Sequence, residues 1–259
     1  MTTAVQTNKT QVEISLRRRW LATAVLWYAL LGLGYWLLAP VWPHAGRWAV
    51  IAGLVMIYGL WVLWAGLPHN HRAGETAVLA TLGWGNGLTL MRGLAISLIA
   101  GFLFSPWPGG ALAWLPMLLY TTADVADYME FDGLGMLVVS LLAVWYGQLP
   151  IWYLSLGLAR YLFVLGLWWR EKRHLPVHEI TPSVHRRIFA GFQMGFMSAV
   201  LWPIIPPAGA TIAGTIFATA TAVSFLRDWL VAIGRIDPQT VRYQQVRRNF
   251  YRLTTYWLP

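Results

Sequence analysis

The chain has 259 residues, of which 58% are hydrophobic and only 11% are charged. This composition excludes an ordinary soluble domain and predicts a protein that lies in lipid. Cysteine is absent, which excludes disulfides, thiolate metal sites and cysteine nucleophiles. The net charge of +9 does not indicate nucleic-acid binding, because Lys and Arg collect beside the ends of apolar runs, where they set orientation and contact anionic lipid headgroups.

Apolar runs of about 20 residues, the length that crosses a bilayer as a helix, recur between short polar or Pro/Gly-containing breaks. They predict an all-α, polytopic membrane helix bundle of about eight transmembrane helices. The predicted spans are 20–39, 47–67, 87–105, 110–127, 133–148, 150–169, 187–204 and 208–226. The first run follows Arg17, Arg18 and Arg19 and lacks a small-residue cleavage site, so we interpret it as a retained helix and not a signal peptide.

The distribution of basic residues predicts the orientation of the bundle. Connections 40–46, 105–109, 148–150 and 203–209 contain no Lys or Arg and would form the outer turns. Lys and Arg occur before the first span, in connections 68–86 and 170–186 and in the tail, and these segments would lie in the cytoplasm together with the acidic connection 128–132. We therefore expect both termini to be cytoplasmic, in a multi-pass protein of a prokaryotic cell membrane. The tail, residues 227–259, is predicted as a basic cytoplasmic segment, with a membrane-surface helix as the simplest interpretation.

An acidic cluster is the main indication of function. Four of the ten acidic residues, Asp124, Asp127, Glu130 and Asp132, lie within nine positions between spans four and five. Carboxylates near membrane depth are costly and persist where they pair, bind cations or relay protons. Several oxygen ligands together suit a hard cation such as Mg²⁺. Helical periodicity places the first three on one face and Asp132 elsewhere. The structural alternative is an ordinary solvated inner loop.

A second pattern, Asn86-Gly-Leu-Thr89-Leu-Met-Arg92, opens the third span. The structural interpretation, without a role in function, is that Asn86 and Thr89 cap the helix and that Arg92 extends toward the headgroups. The segment before it, His69–Gly85, is mildly amphipathic and could lie along the interface as a short helix.

Further basic residues are candidates for phosphate binding. Arg160 lies within the sixth span and needs an anionic partner or a watery cavity unless it extends to the interface. Arg186 and Arg187 open the seventh span, where a guanidinium suits phosphate but where topology signalling explains the charges equally well. The histidines show no metal-binding helical spacing, and His69 and His71 are expected in an interfacial loop.

The Asn86-to-Arg92 pattern, a following span and a second span that ends in acidic residues resemble the CDP-alcohol phosphatidyltransferase family. The resemblance covers about residues 86–226 and implies a six-helix membrane core made of spans three to eight. Residues 1–85 would then be an N-terminal addition with two transmembrane helices and an interfacial segment. The family moves a phosphatidyl-type group from a CDP-linked donor to an alcohol and releases CMP, at a cytoplasm-facing site with a divalent metal.

The family signature, Asp-x-x-Asp-Gly-x-x-Ala-Arg followed by Gly-x-x-x-Asp-x-x-x-Asp, is incomplete in this chain. In one register, Asp124 and Asp127 supply the opening Asp-x-x-Asp, with Tyr128 where the family has Gly. In the preferred register, Asp127-Tyr128 begins the motif and Met129 to Leu134 match its end, so that Asp132 is the last aspartate. This register implies that roughly twenty residues of the motif are absent after Tyr128.

The resemblance implies a role for each candidate residue. Asp132 would be the catalytic base on the acceptor hydroxyl, and Asp124, Asp127 and Asp132 would hold Mg²⁺ or Mn²⁺, with Glu130 as a substitute ligand. Donor binding would involve Asn86, Thr89 and Arg92. The phosphate-binding candidates, taken mainly from charge and depth, are Arg160, Arg186 and Arg187. The expected partners are a CDP-linked lipid donor, an alcohol acceptor and membrane lipids, and a homodimer is a further expectation because family members commonly form one.

Two other functions stay open. Loss of half the motif's carboxylates should damage both metal binding and base catalysis, so the chain could be a catalytically inactive relative that serves lipid binding or assembly. The other alternative is a small cation-coupled transporter that uses the acidic cluster. The transporter ranks third, because the acids lie at one membrane face and no two halves of the sequence repeat.

Overall fold

The computed structural model describes residues 2–71, 75, 77–125, 133–178, 180 and 184–237. Within these ranges the chain forms eight α-helices and no β-strand. The helices are α1 (Thr2–Leu38), α2 (Ala45–Gly66), α3 (Gly83–Ala100), α4 (Leu115–Val125), α5 (Gly133–Trp145), α6 (Leu154–Lys172), α7 (Val184–Val200) and α8 (Pro207–Ala232). Short 3-10 turns extend the C-terminus of α2 and precede α4 and α6; they are Leu67–His69, Gly110–Trp114 and Ile151–Tyr153.

Each apolar run that predicts a span overlaps one of these helices, and the all-helical class is confirmed for the described residues. Four helical stretches in the described ranges are long and apolar enough to cross a membrane. They are Thr10–Leu38, Ala45–His69, Ile151–Lys172 and Pro207–Ala232. Two more helical stretches are apolar but shorter, Gly110–Ala123 and Leu134–Trp145. Many large apolar side chains on α1 and α2 are exposed, as expected where a helix surface faces lipid.

Helix boundaries differ from the hydropathy prediction at several places; α1, for example, begins at Thr2 and not at residue 20, and α3 ends at Ala100 and not at residue 105. Helix α3 begins at Gly83, four residues before the predicted span, because Gly83 to Asn86 are weakly apolar but still helical. Helix α8 continues to Ala232, beyond the predicted end at residue 226. Arg227 and Asp228, which form an ion pair of 3.3 Å, lie inside this continuation. The described part of segment 70–82 is irregular, so a surface helix there is wrong for those residues.

Helices that are consecutive in the chain pack side by side, in the pairs α1–α2, α2–α3, α3–α4, α5–α6 and α7–α8. The α1–α2 pair is antiparallel, since Trp20 donates from its indole to the Leu60 carbonyl at 2.8 Å and Tyr28 donates to the Gly53 carbonyl at 3.2 Å. Helix α3 also packs against α5. It therefore connects the N-terminal pair to the rest of the bundle.

Two tryptophans fix the N-terminal pair to α3. The Trp48 indole donates to the Leu98 carbonyl at 2.9 Å, and a Cβ at Gly101 would lie only 2.5 Å from Trp48 Cδ1. Trp27 lies between two glycines in the same way, because added Cβ atoms would be 3.1 Å from its ring at Gly59 and 3.2 Å at Gly93. Both indoles are almost completely buried. Glycine is needed at these positions because a side chain would occupy the space of the ring.

The loops that follow α1, α3 and α5 meet at one end of the bundle, which we call the closed end (residues 39–44, 101–109 and 146–150). Phe102 is fully buried there against Trp42, with ring centroids 5.3 Å apart. Trp107 stacks on Tyr146 at 4.6 Å. Arg47 donates to the Phe104 carbonyl at 2.6 Å and thereby satisfies a backbone group near the end of α3.

Candidate functional site: a cavity between α2 and α3

A cavity of about 560 Å³ lies at the opposite end of the bundle, which we call the cavity end. The C-terminal half of α2 and the following residues to His71 form one wall, and residues 86–97 of α3 form the other. Trp27 of α1 and Leu134 of α5 also line it. Four helices therefore contribute to the cavity, and its shape depends on packing between the N-terminal pair and the rest of the bundle.

The structure brings together the three residues that the sequence predicts for donor binding. Asn86, Thr89 and Arg92 all line the cavity, because their spacing of three residues keeps them near one side of α3. Asn86 and Thr89 are exposed and Arg92 is half-buried. Their presence in one cavity is compatible with a shared ligand, while their role in binding a donor stays a prediction.

The capping interpretation of Asn86 and Thr89 is wrong. Leu82 occupies the N-cap position of α3, so both residues lie inside the helix. The Thr89 hydroxyl donates to the carbonyl of Gly85 one turn earlier, at 3.1 Å. The Asn86 amide instead donates to the side-chain oxygen of Asn70 at 3.0 Å. Asn86 therefore connects the two walls of the cavity.

Asn70 holds the polar rim of the cavity in place, although the sequence did not single it out. Its side-chain amide donates to the carbonyls of Leu79 and Thr81 at 3.0 and 2.9 Å. The Leu79 N–H donates back to the Asn70 carbonyl at 2.7 Å. Asn70 thus uses both side-chain polar atoms and its backbone carbonyl, and fixes residues 77–82 (the rim segment) against the end of α2. Its role is positional.

Helix α1 holds the same rim segment from the other side. The Ser15 hydroxyl donates to the Ala80 carbonyl at 2.9 Å, and the Arg19 guanidinium donates to the same oxygen at 3.1 Å. Arg19 belongs to the basic group that predicts a cytoplasmic N-terminus. Its guanidinium therefore has a structural contact in addition to any contribution to topology.

The polarity of the lining changes along the cavity. His69, Asn70 and His71 line the cavity near Asn86, which is bonded to Asn70, whereas Val55, Leu63 and Ile96 supply apolar surface and Trp27 contacts Gly93, the residue next to Arg92. Among the described lining residues there is no carboxylate, and Arg92 supplies the fixed positive charge. This arrangement suits a ligand with an anionic group at one end and an apolar body at the other.

The acidic cluster is close in sequence to a residue that lines this cavity. Asp127, Glu130 and Asp132 lie outside the described residues, and Asp124 is in the last turn of α4 with its side chain also outside the description. Leu134, two positions after Asp132, lines the cavity. The predicted base and metal ligands therefore directly precede a helix that contributes to the cavity wall.

The described residues do not by themselves supply a metal site. No group of three or more His, Asp or Glu side chains comes together in the described ranges. The neutral and basic lining fits an anion better than a divalent cation. Ligands for Mg²⁺ or Mn²⁺ would come from Asp124, Asp127 and Asp132, and that assignment stays a prediction.

The three phosphate-binding candidates are placed differently from one another. Arg160 is exposed on α6 and is not among the residues that line the cavity. Arg186 and Arg187 lie in the first turn of α7, with side chains outside the description. Their proposed contact with phosphate stays a prediction.

Buried polar groups elsewhere in the bundle were missed by the sequence analysis. Gln193 is fully buried, donates to the Tyr153 hydroxyl and accepts from the Thr221 hydroxyl at 3.2 Å. Asp228 is 5% exposed and pairs with Arg227. The available signal was a polar or acidic residue inside an apolar helix, which normally needs a partner in the bundle.

Comparisons of the chain with protein-family models, with curated proteins and with solved structures found no match. The functional assignment therefore depends on the residues of the cavity and on the sequence motifs beside it.

Proposed function

We propose that this chain is a CDP-alcohol phosphotransferase-like membrane enzyme of phospholipid synthesis. It would transfer a phosphatidyl-type group from a CDP-linked lipid donor to an alcohol and release CMP. The observation that carries the proposal is the shared cavity of Asn86, Thr89 and Arg92, with Leu134 in its wall just after the acidic segment. A site of this reaction must bind a phosphorylated donor next to a carboxylate base, and this cavity has the corresponding residues in its lining and in the adjacent sequence.

The proposed reaction requires the site residues to bind the donor, accept a proton and hold a metal. Arg92, half-buried in the cavity wall, would bind donor phosphate oxygens, and Asn86 and Thr89 would orient polar groups of the donor beside it. Asp132 would accept the proton of the acceptor hydroxyl as its oxygen attacks the donor phosphorus. Asp124, Asp127 and Asp132 would hold a divalent metal, which would supply neutralisation of charge on the phosphate oxygens.

The proposal includes the arrangement in the membrane. Eight helices would span the bilayer, with the cavity end and both termini in the cytoplasm. The support is the position of Arg17, Arg18 and Arg19 on the same helix end as the rim segment, to which Arg19 is bonded. The predicted outer turns at the closed end, which are 40–46, 105–109 and 148–150, contain no Lys or Arg.

A catalytically inactive relative that binds lipid is the second candidate. It is favoured by the incomplete signature, since the Gly and the Ala-Arg pair of the family motif have no counterpart here. The amphiphilic cavity would serve lipid binding equally well.

An assay of CMP release decides between these candidates. The full chain in phospholipid nanodiscs is supplied with a radiolabelled CDP-linked lipid, Mg²⁺ or Mn²⁺ and a panel of alcohols. We expect metal-dependent CMP release, and we expect Asp132→Asn to reduce it by about 10²- to 10⁴-fold, the usual contribution of a general base. The matched control is Glu171→Gln, an exposed carboxylate at the end of α6, which should release CMP at the rate of the unmodified chain.

Absence of CMP release, with retained binding of the labelled donor, would contradict catalysis and favour the inactive relative. Release that is insensitive to Asp132→Asn would contradict the assignment of the base. A cation flux that Asp127→Asn abolishes, without any donor binding, would instead favour the transporter.

A further inference from the structure

We propose that the N-terminal helices α1 and α2 form the binding site for the hydrocarbon chain of the lipid donor, with its phosphate bound by Arg92. These two helices lie outside the six-helix core that the family resemblance implies. The inference rests on the proposed function, because it assigns the apolar part of that function's donor. It makes the N-terminal pair part of the substrate site and not only a membrane anchor.

The first observation is the origin of the lining. Gly66, Leu63 and Val55 of α2 face Leu90 and Ile96 of α3 across the cavity. From Gly66 to Val55 the helix rises about 16 Å at about 1.5 Å per residue. An elongated apolar groove of this length suits an extended hydrocarbon chain, whereas the nucleotide portion of a donor needs polar partners.

The second observation is the floor of the groove. Trp27 of α1 is 4% exposed and lines the cavity, and its ring lies against Gly59 and Gly93, one on each wall. Because both walls contact the same indole, the groove has a defined depth. Helix α1 therefore contributes an apolar surface that neither α2 nor α3 could supply alone.

The third observation is lateral access from the bilayer. Tyr58 and Val62 line the cavity and are also 53% and 46% exposed. Large apolar side chains that are exposed on a membrane helix face lipid. The apolar part of the cavity is therefore continuous with the lipid-facing side of α2, so a chain can enter from the bilayer without leaving an apolar environment.

The fourth observation is the charge at the rim. Arg92 carries a positive charge at the cavity wall, and His69 and His71 provide further hydrogen-bonding nitrogen atoms. The described lining includes no carboxylate that would repel a phosphate. The polar residues and the apolar groove together fit one lipid molecule that has an anionic phosphate headgroup. They fit a free anion or an uncharged lipid less well.

Gly66 offers a way to fill the groove without disturbing the fold. It lines the cavity, a Cβ there would meet no atom within 4 Å, and its backbone is helical. Gly66→Phe therefore projects a side chain into open space. Gly46, near the other end of the same helix, also has no atom within 4 Å of an added Cβ and does not line the cavity. Gly46→Phe is the matched control.

The probe is phosphatidic acid with a diazirine midway along one acyl chain, added to the purified full chain in phosphatidylcholine nanodiscs. After irradiation, labelled peptides are identified by mass spectrometry. We expect labelling concentrated on residues 55–66 and 90–96. Gly66→Phe should reduce it about tenfold, equivalent to about 1.4 kcal/mol, and Gly46→Phe should leave it unchanged.

Two further arms distinguish the source of the recognised phosphate. The same diazirine on diacylglycerol, which lacks phosphate, should label the groove less, and Arg92→Gln should remove the difference between the two lipids. Excess inorganic phosphate should not displace the labelled lipid. Displacement by inorganic phosphate, or labelling spread evenly over the lipid-facing helices and insensitive to Gly66→Phe, would overturn the proposal.

The two proposals can fail separately. If Gly66→Phe reduces labelling of the groove but the unmodified chain releases no CMP, the lipid site is supported and the proposed enzymatic function is contradicted. Normal CMP release by Gly66→Phe, with unchanged affinity for the donor, retains the enzyme and overturns the assignment of the hydrocarbon chain to α1 and α2.

Discussion

The closed end and the cavity end of the bundle both consist of helix ends and the loops beside them, but the first is tightly packed and the second contains a cavity. At the closed end, aromatic rings fill the space between the loops, and Phe102 and Ser105 are fully buried. At the cavity end, Asn70 binds the rim segment and accepts from Asn86 of α3, and a cavity lies between the walls. The comparison indicates that α2 and α3 are joined by tight aromatic packing at one end and by hydrogen bonds around an open space at the other.

That division separates stability from function. Substitutions that add atoms to the packed core of the closed end should destabilise the protein, whereas substitutions at the cavity end should change ligand binding with little effect on folding. Two changes test this separation and a pair of cysteine substitutions tests the orientation of the two ends; they are given in order of decreasing effect.

The largest effect is expected for Gly101→Ala. An added Cβ would lie 2.7 Å from the backbone oxygen of Trp48 as well as 2.5 Å from its ring, and backbone cannot move away as a flexible side chain can. We expect a loss of about 1–3 kcal/mol in the free energy of unfolding, the usual cost of overpacking. Denaturation by SDS titration in mixed micelles measures it. Gly32→Ala, at a helical site with open space, is the control; equal stability of the two variants would show that Trp48 does not fix α2 to α3.

A smaller and local effect is expected for Asn70→Ala. The change removes two donated bonds to Leu79 and Thr81 and leaves the Asn86 amide without this acceptor. At a partly exposed site the loss should be about 1–2 kcal/mol, confined to the rim. Hydrogen exchange should increase at the Leu79 N–H, while amides of α5 keep their protection. Increased exchange throughout the bundle would contradict a purely local role.

The smallest effect on stability is expected for two cysteine substitutions, which test the orientation of the bundle in the membrane by chemical labelling. The chain has no cysteine, so His69→Cys at the rim and Gly109→Cys at the closed end are each the only thiol present. Both sites are exposed, and the substitutions should change stability little. In intact cells, a membrane-impermeant maleimide should label Gly109→Cys and spare His69→Cys until the membrane is permeabilised. The reverse pattern would place the cavity outside the cytoplasm.

The sequence was sufficient for the helices but not for the cavity. Hydropathy finds membrane helices because apolar length is a local property, and all eight predicted runs overlap helices. The end of α8 was missed because the charges of Arg227 and Asp228 resemble the start of a polar tail, although both residues lie inside the helix.

Long-range contacts explain the other misses. The pattern from Asn86 to Arg92 drew attention to the correct side of α3, yet Asn70 acquires its importance only when residues 79 and 81 fold back onto it. Trp27 is one of 17 tryptophans, and nothing local distinguishes it as the floor of a cavity. The positions of Gly59 and Gly93 on two different helices have meaning only after α1, α2 and α3 are packed together.

The most direct test of the account compares one arginine from each end in the CMP-release assay. Arg92→Gln removes a cation from the cavity wall, and Arg47→Gln removes one from the closed end, where the guanidinium donates to the Phe104 carbonyl at 2.6 Å and does not line the cavity. The account predicts that Arg92→Gln lowers the rate at limiting donor about 10- to 100-fold, the value of a hydrogen bond to a charged group, and that Arg47→Gln keeps the rate of the unmodified chain. Equal rates for the two variants would contradict the assignment of phosphate binding to the cavity end.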